Sequence, residues 1–153
     1  MEYRNFMKLA RFNGDEKYHF TLGTIHLNDA DHGVFMTFKV ETTKCLRSLS
    51  DTRSIKALPR YSITLPMTGW AELKKGAKFQ LKRSYDKESD SHQATLYYSE
   101  LQDVENNKIE VIDSQNDKYL LKLTGATMDV NFSDGTKSAT EIEIFGYFKK
   151  SEV

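Results

Sequence analysis

Residues 34–41 read Val34-Phe35-Met36-Thr37-Phe38-Lys39-Val40-Glu41, and this stretch decides the fold class. Val34, Met36, Phe38 and Val40 share one parity, while Thr37, Lys39 and Glu41 take the other. Side chains two residues apart stand on the same face of a pleated strand, so one face is buried and the other is wet. The same period recurs downstream in Tyr61, Ile63 and Leu65 (stopped by Pro66), in Phe79 and Leu81, and in Ala94, Leu96 and Tyr98. It returns in Ile109 and Val111 and in Tyr119, Leu121 and Leu123. The last such segment, Ile142-Glu143-Ile144-Phe145-Gly146-Tyr147-Phe148, is apolar on both faces near its end, which predicts a central position in the sheet.

Working outward from these anchors, a first strand is predicted from Tyr3 to Phe12, closing at the turn Asn13-Gly14-Asp15. A second is predicted from Lys17 to Leu27. Its apolar phase slips at Gly23, as a β-bulge would make it do, and a second slip is read at Gly125, with Met128, Val130 and Phe132 continuing on the other parity. The final hairpin is predicted to turn through Ser133-Asp134-Gly135, which sets Ala126 opposite Ile142 and Val130 opposite Ser138. Asn106-Asn107 and Gln115-Asn116-Asp117 read as turns. A short helix is expected over Gly69–Lys75, capped by Thr68 and burying Trp70 and Leu73. Residues 44–59 lack a clear period and read as the longest loop, with Leu46 and Leu49 spaced for one helical turn. Together these signals predict a single all-β domain over residues 1–153. The expected form is an antiparallel β-sandwich, or a partly closed barrel, of about nine strands with one short helix near Trp70.

Composition narrows the functional classes. Lys plus Arg and Asp plus Glu stand at 22 each, so the whole molecule exerts no bulk attraction on nucleic acid or anionic lipid. The lone Cys45 has no internal disulfide partner. Residues 1–8, Met-Glu-Tyr-Arg-Asn-Phe-Met-Lys, contain no apolar core of a secretory signal, and no apolar run reaches the roughly 18 residues of a membrane helix. A cytoplasmic location without membrane attachment is the resulting expectation.

Candidate chemistry is sparse. His26, Asp29, Asp31 and His32 gather near one loop and carry donors that suit zinc or iron, but their spacing fits no metal motif and Asn and Asp are ordinary turn formers. Asp86, Glu88, Asp90 and His92 alternate through another loop, where Ser91 occupies the place at which a calcium-binding EF-hand needs glycine. Cys45 has no identifiable histidine partner, and there is no Gly-x-Ser-x-Gly elbow, phosphate-binding glycine loop or Cys-x-x-Cys pair. No catalytic residue, cofactor or metal is therefore assigned.

Charge is segregated, and this is the stronger functional signal. Between Lys44 and Arg83 ten basic residues face only Asp51 and Glu72, whereas between Asp86 and Asp117 nine acidic residues face only Lys87 and Lys108. Cross-strand pairing of the two stretches, for example Lys82 or Arg83 with Asp86 or Glu88, is one consequence. A bipolar surface that steers a charged partner is the other. The expected function is a bacterial-type protein-binding module of the immunity class, neutralising a toxin (a nuclease among the candidates) by masking its active site. The face assigned to that partner comprises Glu100, Asp103, Glu105, Glu110 and Asp113. One alternative is single-stranded nucleic-acid binding through Lys44, Arg47, Arg53, Lys56 and Arg60, with nearby aromatic rings as stacking platforms. The other is a small-ligand or metal-binding barrel using His26, His32 and His92 at its mouth.

Overall fold

The computed structural model describes residues 5–12, 14–30, 33–48, 58–98, 100–128 and 136–151. Tyr3, Asn13, Asp31, His32, Leu49, Asp51, Arg53, Lys56, Val130, Phe132 and the Ser133-Asp134-Gly135 loop lie outside the described residues. The chain forms β1 (Phe6–Arg11), β2 (Gly14–His19), β3 (Gly23–Ala30), β4 (Gly33–Glu41), β5 (Lys44–Ser48) and β6 (Arg60–Pro66). A single 3-10 turn (Trp70–Glu72) follows, then β7 (Lys78–Leu81), β8 (Tyr85–Asp86), β9 (Ser91–His92) and β10 (Ala94–Tyr98). The rest comprises β11 (Glu100–Asp103), β12 (Glu105–Gln115), β13 (Lys118–Thr127) and β14 (Thr140–Lys150).

The all-β reading holds, and the described strands number fourteen. Twelve belong to one large mixed sheet and β8 and β9 form a separate hairpin. One arm of the sheet runs β11-β10-β6-β4-β3 and meets β14. The other side carries β1, β2 and β5, while β13, β12 and β7 extend from the opposite edge of β14. β14 is therefore central, as its two-faced apolar pattern predicts. β13 pairs along it from Thr127↔Thr140 to Lys118↔Lys149. Its other edge is divided, with β1 antiparallel over Glu141–Phe145 and β3 parallel over Phe148–Lys150. Asn5 bridges the division, its Oδ1 accepting the Tyr147 N–H at 2.9 Å and its Nδ2 donating to Thr21 O at 2.7 Å.

The sheet is not a closed barrel, and residues of its arms meet in one hydrophobic core. Tyr18 of β2 meets Tyr98 of β10 edge to face at 6.4 Å, and the Tyr61 hydroxyl of β6 donates to Asn107 Oδ1 of β12 at 2.8 Å. Met7, Leu9, Phe20, Ile25, Phe38, Ile63, Leu96, Ile144 and Phe148 are among the side chains fully withdrawn from solvent between them. Burial of such side chains, each contributing about 1.5–3 kcal/mol, is the main force holding the arms together.

Several local expectations are corrected. Gly23 is not a bulge inside one long strand: the chain breaks over 20–22, and β2 and β3 enter different parts of the sheet. The Phe148 ring packs against Gly23, where a Cβ would overlap it. Nor does the phase slip at Gly125. Tyr119, Leu121, Leu123 and Thr127 keep one inward parity, and Met128 is exposed. The register is accordingly Gly125↔Ile142 and Ala126↔Glu141, one residue from that predicted. Hydrophobicity misled here because Thr127 is a buried polar residue, its hydroxyl satisfied by Asp103 O at 2.8 Å.

Gly125 is needed for proximity, since a Cβ there would lie 2.5 Å from Val104 Cγ1. Gly125→Ala is expected to destabilise the fold by about 1–3 kcal/mol through overpacking. Combining it with Val104→Ala should give less than the sum of the single losses in urea titrations, because the two sites share one contact. Strict additivity would remove Val104 as the cause.

Residues 44–48 form a strand against β2 where a loop was expected, and Leu46 belongs to it. The helix reduces to one turn, and Thr68 does not cap it. Instead the Glu72 carboxylate accepts from Thr68 N (2.5 Å) and Oγ1 (2.9 Å), which holds its pKa below the usual carboxylate value. Asn106-Asn107 is not a turn but an irregularity within β12, whose register shifts between Glu105 and Lys108. Asn106 there adopts a φ of 55°, in the left-handed region that Asn tolerates. The Asn107 side chain turns inward and uses both of its amide donors, Nδ2 donating to Val104 O (2.7 Å) and Leu81 O (3.2 Å).

Candidate functional site

The richest surface constellation lies where β11 approaches the end of β13. β11 ends the pairing path of its arm, with only β10 beside it among the described strands. Its register is Tyr98↔Glu100, Tyr97↔Leu101, Leu96↔Gln102 and Thr95↔Asp103. Val104 N donates to Ala94 O at 2.9 Å, so the backbone groups of alternate residues 104, 102 and 100 point at β10. Those of Leu101 and Asp103 consequently point to the outer edge. Asp103 O accepts from Thr127 Oγ1 there. Thr127 also lies 3.2 Å from the Gln102 side-chain oxygen, and Gln102 Nε2 is buried without a partner in that orientation. The single Thr127 hydroxyl hydrogen goes to the closer Asp103 O. Turning the amide over then lets its nitrogen donate to Thr127 Oγ1, and no buried donor is orphaned.

Along this edge opens a groove of about 680 Å³, lined by Glu100, Leu101, Asp103 and Glu105 on one side and by Met128 and Lys137 on the other. Leu101 is 66% exposed and Met128 55%, the two most exposed large apolar side chains described. A leucine so open beside carboxylates contributes nothing to the core.

Three of the five acidic residues expected to form one face therefore gather here, and two do not. Glu110 lies five residues beyond Glu105 on β12, opposite Lys78 of β7 on one side and Lys122 of β13 on the other. The basic and acidic stretches thus do neighbour each other, through β7 and β12. Asp113 is eight residues beyond Glu105 on β12, roughly 25 Å at strand rise, and accepts from the Ser114 N–H at 2.9 Å.

Asp103 and Glu105 also have structural duties. Ser84 N donates to Glu105 Oε2 at 2.5 Å, and His92 Nδ1 lies 2.8 Å from Asp103 Oδ1. Ser84 Oγ lies 3.0 Å from that same oxygen and 2.6 Å from Ala94 O. Serine, histidine and aspartate are thus adjacent, but the order is wrong for nucleophilic catalysis. The carboxylate sits between the other two, no histidine nitrogen receives the serine proton, and Ser84 is fully buried.

The metal and nucleic-acid sets are more dispersed. His26 lies in β3 opposite Thr37 and Asp29 lies opposite Val34, and no metal-holding group of three His, Cys, Asp or Glu occurs among the described residues. His92 is occupied with Asp103 and with the Tyr85 ring at 5.2 Å. Of the nucleic-acid set, Lys44 is exposed in β5, Arg47 stands opposite Lys17 in that strand, and Arg60 lies over the exposed Tyr97 ring at 4.7 Å. Trp70 is half-buried, stacked on Tyr119 at 6.3 Å and covered by Lys150 at 4.7 Å, so it offers no open platform. Cys45 is exposed on β5.

One polar constellation escaped the sequence reading. Arg11 Nη1 donates to Glu16 Oε2 at 2.8 Å, and the Tyr18 and Tyr98 hydroxyls approach Glu16 Oε1 at 2.5 and 2.6 Å. Glu16 is wholly buried and the Arg11 side chain is 1% exposed. Burial, followed by the hydrogen bond to Glu16, pushes both tyrosine pKa values far above the ordinary 10.0. With no opening to solvent, this network ties the β1–β2 hairpin to β10 and is structural. Compared with protein-family models, curated proteins and solved structures, the chain matches none of them.

Proposed function

We propose that this chain is a protein-binding module whose contact surface is the acidic groove beside β11. The observation that supports it is the joint exposure of Leu101 and Met128 within a rim of Glu100, Asp103 and Glu105. An apolar centre with a charged rim is the general anatomy of a protein interface, and carboxylates select a basic partner and speed its approach. The immunity-type reading is the specific form: the groove covers the basic cleft of a toxin, a nuclease domain among the candidates. A cytoplasmic setting accords with the exposed thiol of Cys45. On the same reading, the two arms act as the layers of a sandwich and hold the groove rigid.

Glu100→Lys and Leu101→Arg are the appropriate probes, because Asp103 and Glu105 also hold Ser84 in place. The proteins retained from source cells by the wild type are compared with those retained by each variant, and the interaction is rebuilt from purified components. Each substitution is expected to weaken binding at least about tenfold, with a steep salt dependence and an unchanged Tm. Affinity indifferent to both substitutions and to salt overturns the reading.

Single-strand binding rests on one observation, the exposed Arg60–Tyr97 pair. Retention of a single-stranded oligonucleotide that is lost on Tyr97→Ala and unaffected by Leu101→Arg would favour it instead.

A further inference from the structure

We infer that β11 is a template for strand addition, and that its occupant is an extended basic segment of the partner laid into the groove as a further strand. This rests on the protein-binding reading and specifies its mode. The backbone supports it directly. Leu101 directs its N–H and C=O away from β10, and no described strand pairs with that edge. Among the described residues, the space beyond Leu101 is a groove with Met128 on its far wall. A strand placed there gains main-chain bonds to Leu101 and apolar contact with Leu101 and Met128, the usual division of labour in this mode of recognition.

Charge selects the occupant. Glu100 precedes Leu101, Asp103 follows it two residues on and Glu105 continues the rim, while Lys137 is the one cation among the described residues lining the groove. A segment carrying lysine or arginine neutralises that excess. A second copy of this chain does the reverse, since edge-to-edge pairing of two β11 strands crowds the carboxylates of both molecules into one strip. Thr127 sets the limit of the template, because it already occupies Asp103 O. The added strand therefore pairs around Leu101 and passes the end marked by Thr127.

The test uses the full chain and a capped peptide of alternating lysine and valine. Leu101→Pro removes the outward N–H together with the leucine side chain, for which Leu101→Ala is the control; the ladder to β10 survives, and proline is tolerated on a strand edge. The wild type should bind the peptide at low salt, with slowed hydrogen exchange at the Leu101 amide. Leu101→Pro should weaken binding at least about tenfold, roughly 1.4 kcal/mol, while Leu101→Ala, which keeps the N–H, should weaken it less. N-methylation of alternate peptide residues should abolish binding in one frame and spare it in the other. A Leu101→Pro variant that does not fold shifts the decision to the methylated peptides with the wild type. Binding that is sensitive to Glu100→Lys but indifferent to methylation in both frames defeats strand addition and leaves the groove reading standing. Absence of peptide binding at low salt also defeats strand addition. Self-association that competes with the peptide would show that a second copy is the occupant.

Discussion

Arg11→Met is expected to lower folding stability by about 3–5 kcal/mol, read as a fall in urea midpoint at constant m-value. Methionine follows the path of the arginine stem, so little packing is lost. What disappears is the guanidinium beside Glu16, and a wholly buried carboxylate then keeps its charge, or takes up a proton, with the tyrosine hydroxyls for company. Replacing both partners should cost less than replacing Arg11 alone. With Arg11→Met and Glu16→Met together no ionised group of the pair remains, and Tyr18 and Tyr98, 3.1 Å apart, bond to each other. The residual loss should be about 1–2 kcal/mol, the cost of one hydroxyl without an acceptor. If the single substitution costs less than the double, the pair does not stabilise the fold in the way its burial requires.

Alkaline pH is the second large lever. Burial holds the Tyr18, Tyr61 and Tyr98 hydroxyls protonated well past their ordinary 10.0, and Glu16 adds to the effect on Tyr18 and Tyr98. In the unfolded chain the same groups ionise near 10.0, so above that pH the unfolded state binds fewer protons than the folded one. Stability is therefore complete below pH 10 and falls as pH rises beyond it. Each such tyrosine contributes a slope of up to about 1.4 kcal/mol per pH unit, so the three together bring unfolding within one or two units. Urea midpoints on either side of pH 10 should show the decline. Phenolate absorbance from these three should appear together with the loss of β-sheet circular dichroism. A midpoint that stays flat through this range would contradict their protection.

The sequence was most legible where inward positions were apolar. Met36, Phe38 and Val40, and likewise Tyr61, Ile63 and Leu65, announced their strands and faces without ambiguity. It failed where a polar side chain occupied an inward position, because such a residue breaks the hydrophobic period that marks a strand's buried face. Thr127 hid the register of the last hairpin, Asn107 passed for a turn, and Glu16 fell between the predicted first turn and the second strand. The missed signal for Glu16 was parity. Met7, Leu9 and Arg11 share one phase, as do Glu16 and Tyr18, so opposite charges stand on inward positions of adjacent strands. For the groove, alternation identified β10 but said nothing about which strand lay at an edge. Glu100, Asp103 and Glu105 were found by charge; Leu101 and Met128 could be understood as surface only once β11 had been placed.

β14 has a consequence for biosynthesis. Both arms use it, since β1, β3 and β13 all hydrogen-bond to residues 140–150. While that segment is still inside the ribosome, the emerged chain has three incomplete borders and no means of finishing either half. Translation therefore runs well ahead of productive collapse, and non-local pairing of this sort is slow once it begins. A pause in synthesis before codon 140 should lengthen the interval in which unfinished strands can join the wrong neighbours, lowering soluble yield without changing the stability of the molecules that succeed.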